Sequence, residues 1–121
     1  MPHHQFRMLL ILGLLLSGLS VARAASYTFT TLDVPGALHT QAWGINDRGH
    51  IAGLYVDNSA NQDNHGFLYD GSRFTPLNVP FPGTILTRAL GISNPGHIVG
   101  VYEAHGFEEG HGFLYIRVYP Y

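Results

Sequence analysis

The chain has 121 residues, with six Lys and Arg against eight Asp and Glu, a formal net charge of −2 and no cysteine. The absence of cysteine excludes disulfides, zinc–cysteine sites and thiol nucleophiles. The few basic residues are not clustered, which argues against nucleic acid or an anionic membrane as a partner.

The first two dozen residues are typical of a secretory signal peptide. A short polar start containing Arg7 precedes an almost wholly aliphatic run over residues 8–19. Ala22 and Ala24 are the small residues that a signal peptidase requires, so Ala25 would begin the mature chain. The apolar run is too short to span a bilayer, which needs roughly 20 residues. The sequence predicts a signal peptide over residues 1–24, secretion to the periplasm or medium, and a mature domain over residues 25–121.

The mature part contains one unit twice. The duplicated motifs are F-T-T-L-D-V-P and F-T-P-L-N-V-P from Phe29 and Phe74, G-I-N-D-R-G-H-I-A-G-L-Y and G-I-S-N-P-G-H-I-V-G-V-Y from Gly44 and Gly91, and H-G-F-L-Y from His65 and His111. The spacing between copies changes only between the motifs, as expected where strands are fixed and loops vary. We assign repeat 1 to about residues 27–72 and repeat 2 to about residues 73–118.

Each repeat predicts four strands, because its aromatic and β-branched residues alternate between turn signals and no segment after the leader has helical periodicity. The first strands are residues 27–33 and 73–78, the second 41–46 and 88–93, the third 50–56 and 97–103, and the fourth 66–69 and 112–118. The expected fold is all-β, an antiparallel meander of two four-stranded, propeller-like blades.

Two kinds of turn are predicted between the strands. The second and third strands of each repeat are joined by a tight turn that ends in Gly49 or Gly96, where a positive φ favours glycine. Asp70-Gly71 is a strong hairpin signal between the fourth strand of repeat 1 and the first strand of repeat 2.

The third strand of each repeat is apolar on both faces, which is typical of a sheet that is covered on both sides. Gly53 and Gly100 lie in the middle of these strands, where glycine weakens a strand unless a neighbouring backbone or ring must come close. Small sheets stacked face to face, as in a propeller, meet both conditions.

The motifs G-I-N-x-x-G-x-I-x-G and H-G-F-L-Y resemble the bacterial extracellular repeats called HAF repeats, over nearly all of residues 29–115. This resemblance implies an exported, propeller-like repeat protein, and it supplies no catalytic residues. The chain differs from a closed propeller by its two copies, since closed propellers have about four to eight blades.

Candidate sites for chemistry are sparse. Asp57, Ser59, Asn61 and Asp63 alternate as calcium ligands do, but the loop lacks the glycine and glutamate of an EF-hand, so a solvated hairpin loop is the preferred interpretation. Neither G-x-S-x-G nor H-E-x-x-H occurs, so no enzyme activity, metal or cofactor is predicted.

Most aromatic and histidine positions recur in both repeats, which indicates structural roles. Among the aromatic residues considered for sugar binding, Trp43 alone is not repeated, because its counterpart is Leu90; the others are Tyr55, Tyr102, Phe67 and Phe113. The leading hypothesis is a structural or interaction module that binds a protein, a further copy of itself or an envelope component. The alternatives are a carbohydrate-binding module using Trp43 and, more weakly, a fragment of a larger propeller hydrolase. The bare apolar faces at both ends of a two-repeat array predict that the mature chain associates.

Overall fold

The computed structural model describes residues 24–105 and 110–118. Backbone contacts divide the chain into two units, Met1–Thr30 and Thr31–Tyr121. In the first unit, residues 24–30 are exposed and have no regular structure, and the predicted cleavage residues Ala24 and Ala25 are among them. Ala22 and the apolar run of the leader lie outside the described residues. The described residues contain no helix of sufficient length and hydropathy to cross a membrane.

The second unit is all-β, as predicted, and within its described residues it contains no helix. Its seven strands are β1 His39–Ile45, β2 Ile51–Val56, β3 Asn64–Tyr69, β4 Phe74–Leu77, β5 Thr84–Ile92, β6 Ile98–Ala104 and β7 His111–Tyr115. They form one mixed, mostly antiparallel sheet in the order β1-β2-β3-β5-β6-β7, with β4 paired to β3 beside that path. The path runs from β1 to β7 without closing.

The predicted strand over residues 27–33 is wrong, since these residues have no regular structure. Its equivalent in repeat 2 is β4, which pairs with β3 of repeat 1 so that Leu77 lies opposite Gly66 and Phe74 opposite Tyr69. A first strand therefore completes the sheet of the repeat before it. Residues 27–33 themselves pair with no strand among the described residues.

The simple meander is also wrong at the junction of the repeats. β4 pairs with the last four of the six residues of β3 along one edge, and β5 meets the start of the same edge through a parallel bridge between Asn64 and Leu86. β5 consequently begins at Thr84, earlier than predicted. At the other end β7 stops at Tyr115, and residues 116–118 form no strand.

The core lies between the two repeats. Ala52 and Leu68 of repeat 1 cluster with Ala89 and Ile98 of repeat 2. All four are buried, Leu68 least so at 8% exposed. The centres of β2 and β3 are buried on both faces, as a strand covered on both sides requires. Repeat 1 therefore has the burial that the sequence predicts.

The tight turns carry the expected backbone geometry. Gly49 has φ +76° and Gly96 φ +90°. In the first turn, Asn46 is buried and its Oδ1 accepts hydrogen bonds from the N–H groups of Arg48, at 3.1 Å, and His50, at 3.0 Å. Because asparagine can satisfy backbone donors in this way, it favours a turn over a continued strand.

Gly49→Val is expected to lower the free energy of unfolding by about 1–3 kcal/mol, the cost of holding a side chain at positive φ. Steric contact adds nothing, because no atom lies within 4 Å of a Cβ built on Gly49. Asparagine tolerates this region, so Gly49→Asn is the matched control and should retain most of the stability. Urea unfolding followed by circular dichroism measures both variants. Equal losses in the free energy of unfolding for valine and asparagine would show that positive φ does not strain the valine variant.

The two tight turns also contact each other. Asn46 Nδ2 donates to the Ser93 carbonyl at 3.0 Å, and the Asp47 N–H donates to Asn94 Oδ1 at 2.8 Å. Asn94 Nδ2 in return donates to Asp47 Oδ2 at 2.8 Å. Each bond joins residues 47 positions apart, so equivalent turns of the two repeats lie side by side.

The Asp70-Gly71 segment forms the predicted connection between β3 and β4. Asp70 Oδ1 accepts from the N–H groups of Ser72, at 2.9 Å, and Arg73, at 2.8 Å, and Gly71 has φ +101°. These hydrogen bonds, that of Ser72 first, lower the pKa of the Asp70 carboxyl group. The ionised aspartate thus fixes the turn.

Candidate interaction sites

The outer edge of β7 over Gly112–Tyr115 is called the open edge here. On the equivalent edge of β3, β4 pairs with Gly66, Phe67, Leu68 and Tyr69. Among the described residues β7 pairs only with β6, so its second edge has no strand beside it. Over Gly112–Tyr115, β7 therefore presents backbone donors and acceptors that no other described strand pairs with, and such groups form a template for another strand.

The side chains at the open edge are exposed where those of β3 are buried. Leu68 is 8% exposed, whereas its counterpart Leu114 is 62% exposed. Gly66 is buried and its counterpart Gly112 is exposed. The same sequence thus occupies two environments. β4 covers one edge of β3, and no described strand covers the equivalent edge of β7.

An apolar cavity of about 330 Å³ adjoins this edge. It is bounded by β4, by the loop after β4 and by β7. Its apolar walls include Pro76, Leu77, Phe81, Phe113 and Tyr115. Phe81 is 54% exposed and also contacts Tyr102 edge to face, with ring centroids 5.4 Å apart. Apolar surface of this kind favours contact with another protein surface.

Trp43 lies in a second candidate site, called the Trp43 groove here. It is the extra residue of a β-bulge between Ala42 and Gly44, and a bulge redirects a side chain. The indole is 56% exposed, and its Nε1–H donates to Gln41 Oε1 at 3.1 Å. Leu90 is the extra residue of the equivalent bulge in β5.

The Trp43 groove has a volume of about 410 Å³ and is lined by both bulge residues, Trp43 and Leu90. Arg88 also lines it, and its buried Nε has no hydrogen-bond partner in the part of the chain that the structure describes. An exposed aromatic ring beside a charged side chain can hold a flat polar ligand such as a sugar ring. Trp43 is thus placed in a groove that combines apolar and polar groups.

Hydrogen bonds within the chain engage Asp57, the first of the candidate calcium ligands. Asp57 Oδ1 accepts hydrogen bonds from Ser59 and from the Asp63 N–H, and Asp57 Oδ2 pairs with His65 Nε2 at 2.7 Å. Asn61 is exposed at the loop tip. No group of three or more His, Asp or Glu side chains suited to a metal ion occurs in the described parts of the chain. The carboxylate of Asp57 instead holds the loop together.

Asp57 and His65 are in contact and form an ion pair when His65 is protonated. The Ser59 hydroxyl and His65 donate to Asp57, which holds the pKa of its carboxyl group well below the usual range. Partial burial lowers the pKa of His65, but hydrogen bonds to Asp57 and Asn78 outweigh it, so this pKa is raised. The Nδ1 atom lies 2.8 Å from Asn78 Oδ1. Because both ring nitrogens face oxygen atoms, the doubly protonated ring satisfies both contacts.

We expect the stabilisation from this pair to be largest between about pH 4 and pH 6.5. The raised pKa of His65 means that its contribution is complete below the unfolded-state pKa and is lost as the pH rises through the folded-state pKa. The lowered pKa of Asp57 means that its contribution is lost as the pH falls below about 4.

An NMR titration of the histidine rings tests this pair. Asp57→Asn should lower the pKa of His65, because it removes the partner of Nε2. Asp47→Asn is the matched control, since Asp47 bonds Asn94 and not His65. An unchanged His65 pKa in Asp57→Asn would show that the contact does not control the titration.

Comparison of the chain with models of protein families, with curated proteins and with solved structures finds no match. The geometry of the chain itself is therefore the basis for a functional proposal.

Sequence reasoning located Trp43 and the Asp57 loop but missed what surrounds them. It did not predict the bulge that exposes Trp43, nor the open edge of β7. The contact between Asp57 and His65 was also missed, because it crosses a hairpin between residues eight positions apart. The duplication of these Tyr and His positions could have predicted one contact that recurs in both repeats. Tyr55 stacks on His65, and Tyr102 on His111, at centroid distances of 5.0 and 5.2 Å.

Proposed function

We propose that the protein is an exported, non-enzymatic repeat module with a structural or interaction role. Its partner is a further copy of the chain, another protein or an envelope component. The signal-peptide pattern of residues 1–24 supports export to the periplasm or medium. The resemblance to extracellular HAF repeats supports the same location and role.

The observation that carries this proposal is apolar surface on the strands of repeat 2. Val99 is 52% exposed and Leu114 62% exposed, although their counterparts in repeat 1, Ala52 and Leu68, are core residues. Beyond β7, Ile116 and Val118 are 55% and 81% exposed. Exposed apolar surface that is continuous with a repeat interface is typical of an interaction site.

We propose further that the two repeats are two propeller-like blades. This architecture is supported by contacts that recur in both repeats. The Val34 N–H donates to Thr40 Oγ1 at 3.0 Å, and the Val79 N–H donates to Thr87 Oγ1 at 3.1 Å. Equivalent segments thus enter both repeats in the same way, as expected of blades in one array.

Light scattering on the exported form, purified from periplasm or medium, tests this function. The expected result at micromolar concentration is a mass corresponding to two or more chains, or to a stable complex with a co-purified partner. A compact, dispersed monomer with cooperative unfolding would contradict it.

Carbohydrate binding is the second candidate, favoured by the Trp43 groove. The side chains of Trp43 and Arg88 line the same space. Binding to a glycan array that is lost in Trp43→Ala would support it. Phe81→Ala is the control, because Phe81 is an exposed aromatic residue outside this groove. Equal binding by both variants would contradict a role for the groove.

A further inference from the structure

We propose that copies of this chain dock head to tail, and that residues 29–32 of one copy add a strand to the open edge of β7 in the next. This inference rests on the proposed interaction function and names its partner, a second copy of the chain.

The donor segment is the repeat equivalent of β4. Residues 29–32 read F-T-T-L where β4 reads F-T-P-L, and no proline interrupts them. Phe74 in β4 packs on Tyr69 and Phe67, with ring centroids 4.5 and 5.3 Å apart. Phe29 is 95% exposed. The segment therefore carries the side chains of a sheet strand, and three of its four residues are exposed.

The acceptor is the repeat equivalent of β3, and the observed pairing of β3 with β4 fixes the register. Gly66 lies opposite Leu77 and Tyr69 opposite Phe74, antiparallel. Transfer of this register to the open edge places Gly112 opposite Leu32, Leu114 opposite Thr30, and Tyr115 opposite Phe29. Phe29 would then cover Tyr115 as Phe74 covers Tyr69.

The faces on either side of this strand are complementary as well. Within the chain, Ala52 and Leu68 of repeat 1 pack against Ala89 and Ile98 of repeat 2. The corresponding residues that lack this contact are Val99 and Leu114 on repeat 2, and Ala42 and Ile51 on repeat 1.

The exposure of these residues shows which surfaces remain uncovered. Ala42 is exposed and Ile51 half-buried, whereas Ala89 and Ile98 are both 0% exposed. The repeat 2 face of one copy can thus meet the repeat 1 face of the next through the same contacts that join the repeats within a chain. Each copy carries both halves of the interface, so the contact is heterologous and forms a ring wherever the rotation closes. With two repeats per chain, a ring of about two to four copies matches closed propellers.

Two single substitutions test the strand without disturbing the fold. Among the described residues, a Cβ on Gly112 has one neighbour, the Gly100 carbonyl oxygen at 3.9 Å, whereas a Cβ on Gly66 would lie 2.9 Å from the Leu77 carbonyl oxygen. Gly112→Ala should therefore fold and yet clash with the added strand at Leu32. Phe29→Asp changes the donor at a side chain that is 95% exposed.

Each variant should raise the dissociation constant of the assembly roughly tenfold or more, measured by sedimentation. Tyr27→Ser is the control: Tyr27 is 80% exposed, lies outside the register and has serine as its repeat 2 counterpart, so association should persist. Association that survives both Phe29→Asp and Gly112→Ala would overturn the strand addition while leaving the interaction function intact. A wild-type monomer would refute the proposed function and this inference together.

Cross-linking identifies the copy that supplies the strand, since the chain has no cysteine of its own. Leu114→Cys and Thr30→Cys would lie opposite each other, at a Cα separation suited to a disulfide. Mixing the two single variants should produce an intermolecular disulfide, and mixing Leu114→Cys with Tyr27→Cys should produce much less. A chain that carries both Leu114→Cys and Thr30→Cys is the further test. A disulfide that forms within this chain, and not between chains, would show that the strand does not come from a second copy.

Discussion

Gly53→Ala is expected to destabilise the chain by about 3 kcal/mol or more, at the upper end for overpacking. A Cβ on Gly53 would lie 2.7 Å from two ring atoms of Phe67 and still closer to the backbone carbonyl oxygen of Gln41. The oxygen belongs to β1, which pairs with β2 at this point, so relief of the clash would require separating two strands. Since a chain of this size has a total stability of about 5–15 kcal/mol, the loss would be a large part of it.

Thermal unfolding followed by circular dichroism measures this loss. Gly110→Ala is the control, because a Cβ there has its nearest neighbour at an ordinary contact distance of 3.7 Å and should change the unfolding temperature little. Gly100 repeats the arrangement, with Phe113 at 2.8 Å, so Gly100→Ala should behave like Gly53→Ala. Wild-type unfolding in Gly53→Ala would show that the strands accommodate a side chain at this position.

Phe67→Ala is expected to lower the free energy of unfolding by about 3–5 kcal/mol, the usual cost of removing a buried aromatic side chain and leaving a cavity. Phe67 is 0% exposed, and its ring meets Phe74 edge to face at 5.3 Å. It also covers Gly53, so one ring links β2, β3 and β4.

The repeat supplies the matched control. Phe113 is the counterpart of Phe67 but is only half-buried, because no strand covers the outer edge of β7 in the described residues. Phe113→Ala should therefore cost less, about 2 kcal/mol or below. Urea unfolding of the two variants at a concentration that favours monomers compares them. Equal losses in the free energy of unfolding would contradict the conclusion that Phe67 is better covered than Phe113.

The turns and mid-strand glycines could be inferred from the sequence, because their causes are local. A positive φ at Gly49 is required by the four residues of its own turn. For Gly53, the sequence indicated that a ring or backbone must come close, and the structure shows both, from Phe67 and Gln41. The all-β class followed from alternation and turn signals in the same manner.

The candidate sites were less predictable, because they depend on which strands become neighbours. The identical H-G-F-L-Y strands are buried in β3 and exposed in β7, and no residue within the motif distinguishes them. Likewise, the exposure of Trp43 results from a bulge in the pairing of β1 with β2, and a single-residue shift in register has no signature of its own in the sequence.

By itself the sequence determined the duplicated unit, its turns, most of its strand-forming segments and the apolar character of both strand faces, all of which follow from short-range periodicity and local backbone preferences. Only the tertiary structure decided that a first strand completes the sheet of the preceding repeat, that β5 joins β3 in parallel, and that β7 keeps an open edge. The physical reason is that strand pairing is a contact between distant segments. Its partners are chosen by available edges and faces, and identical sequences in the two repeats meet different ones.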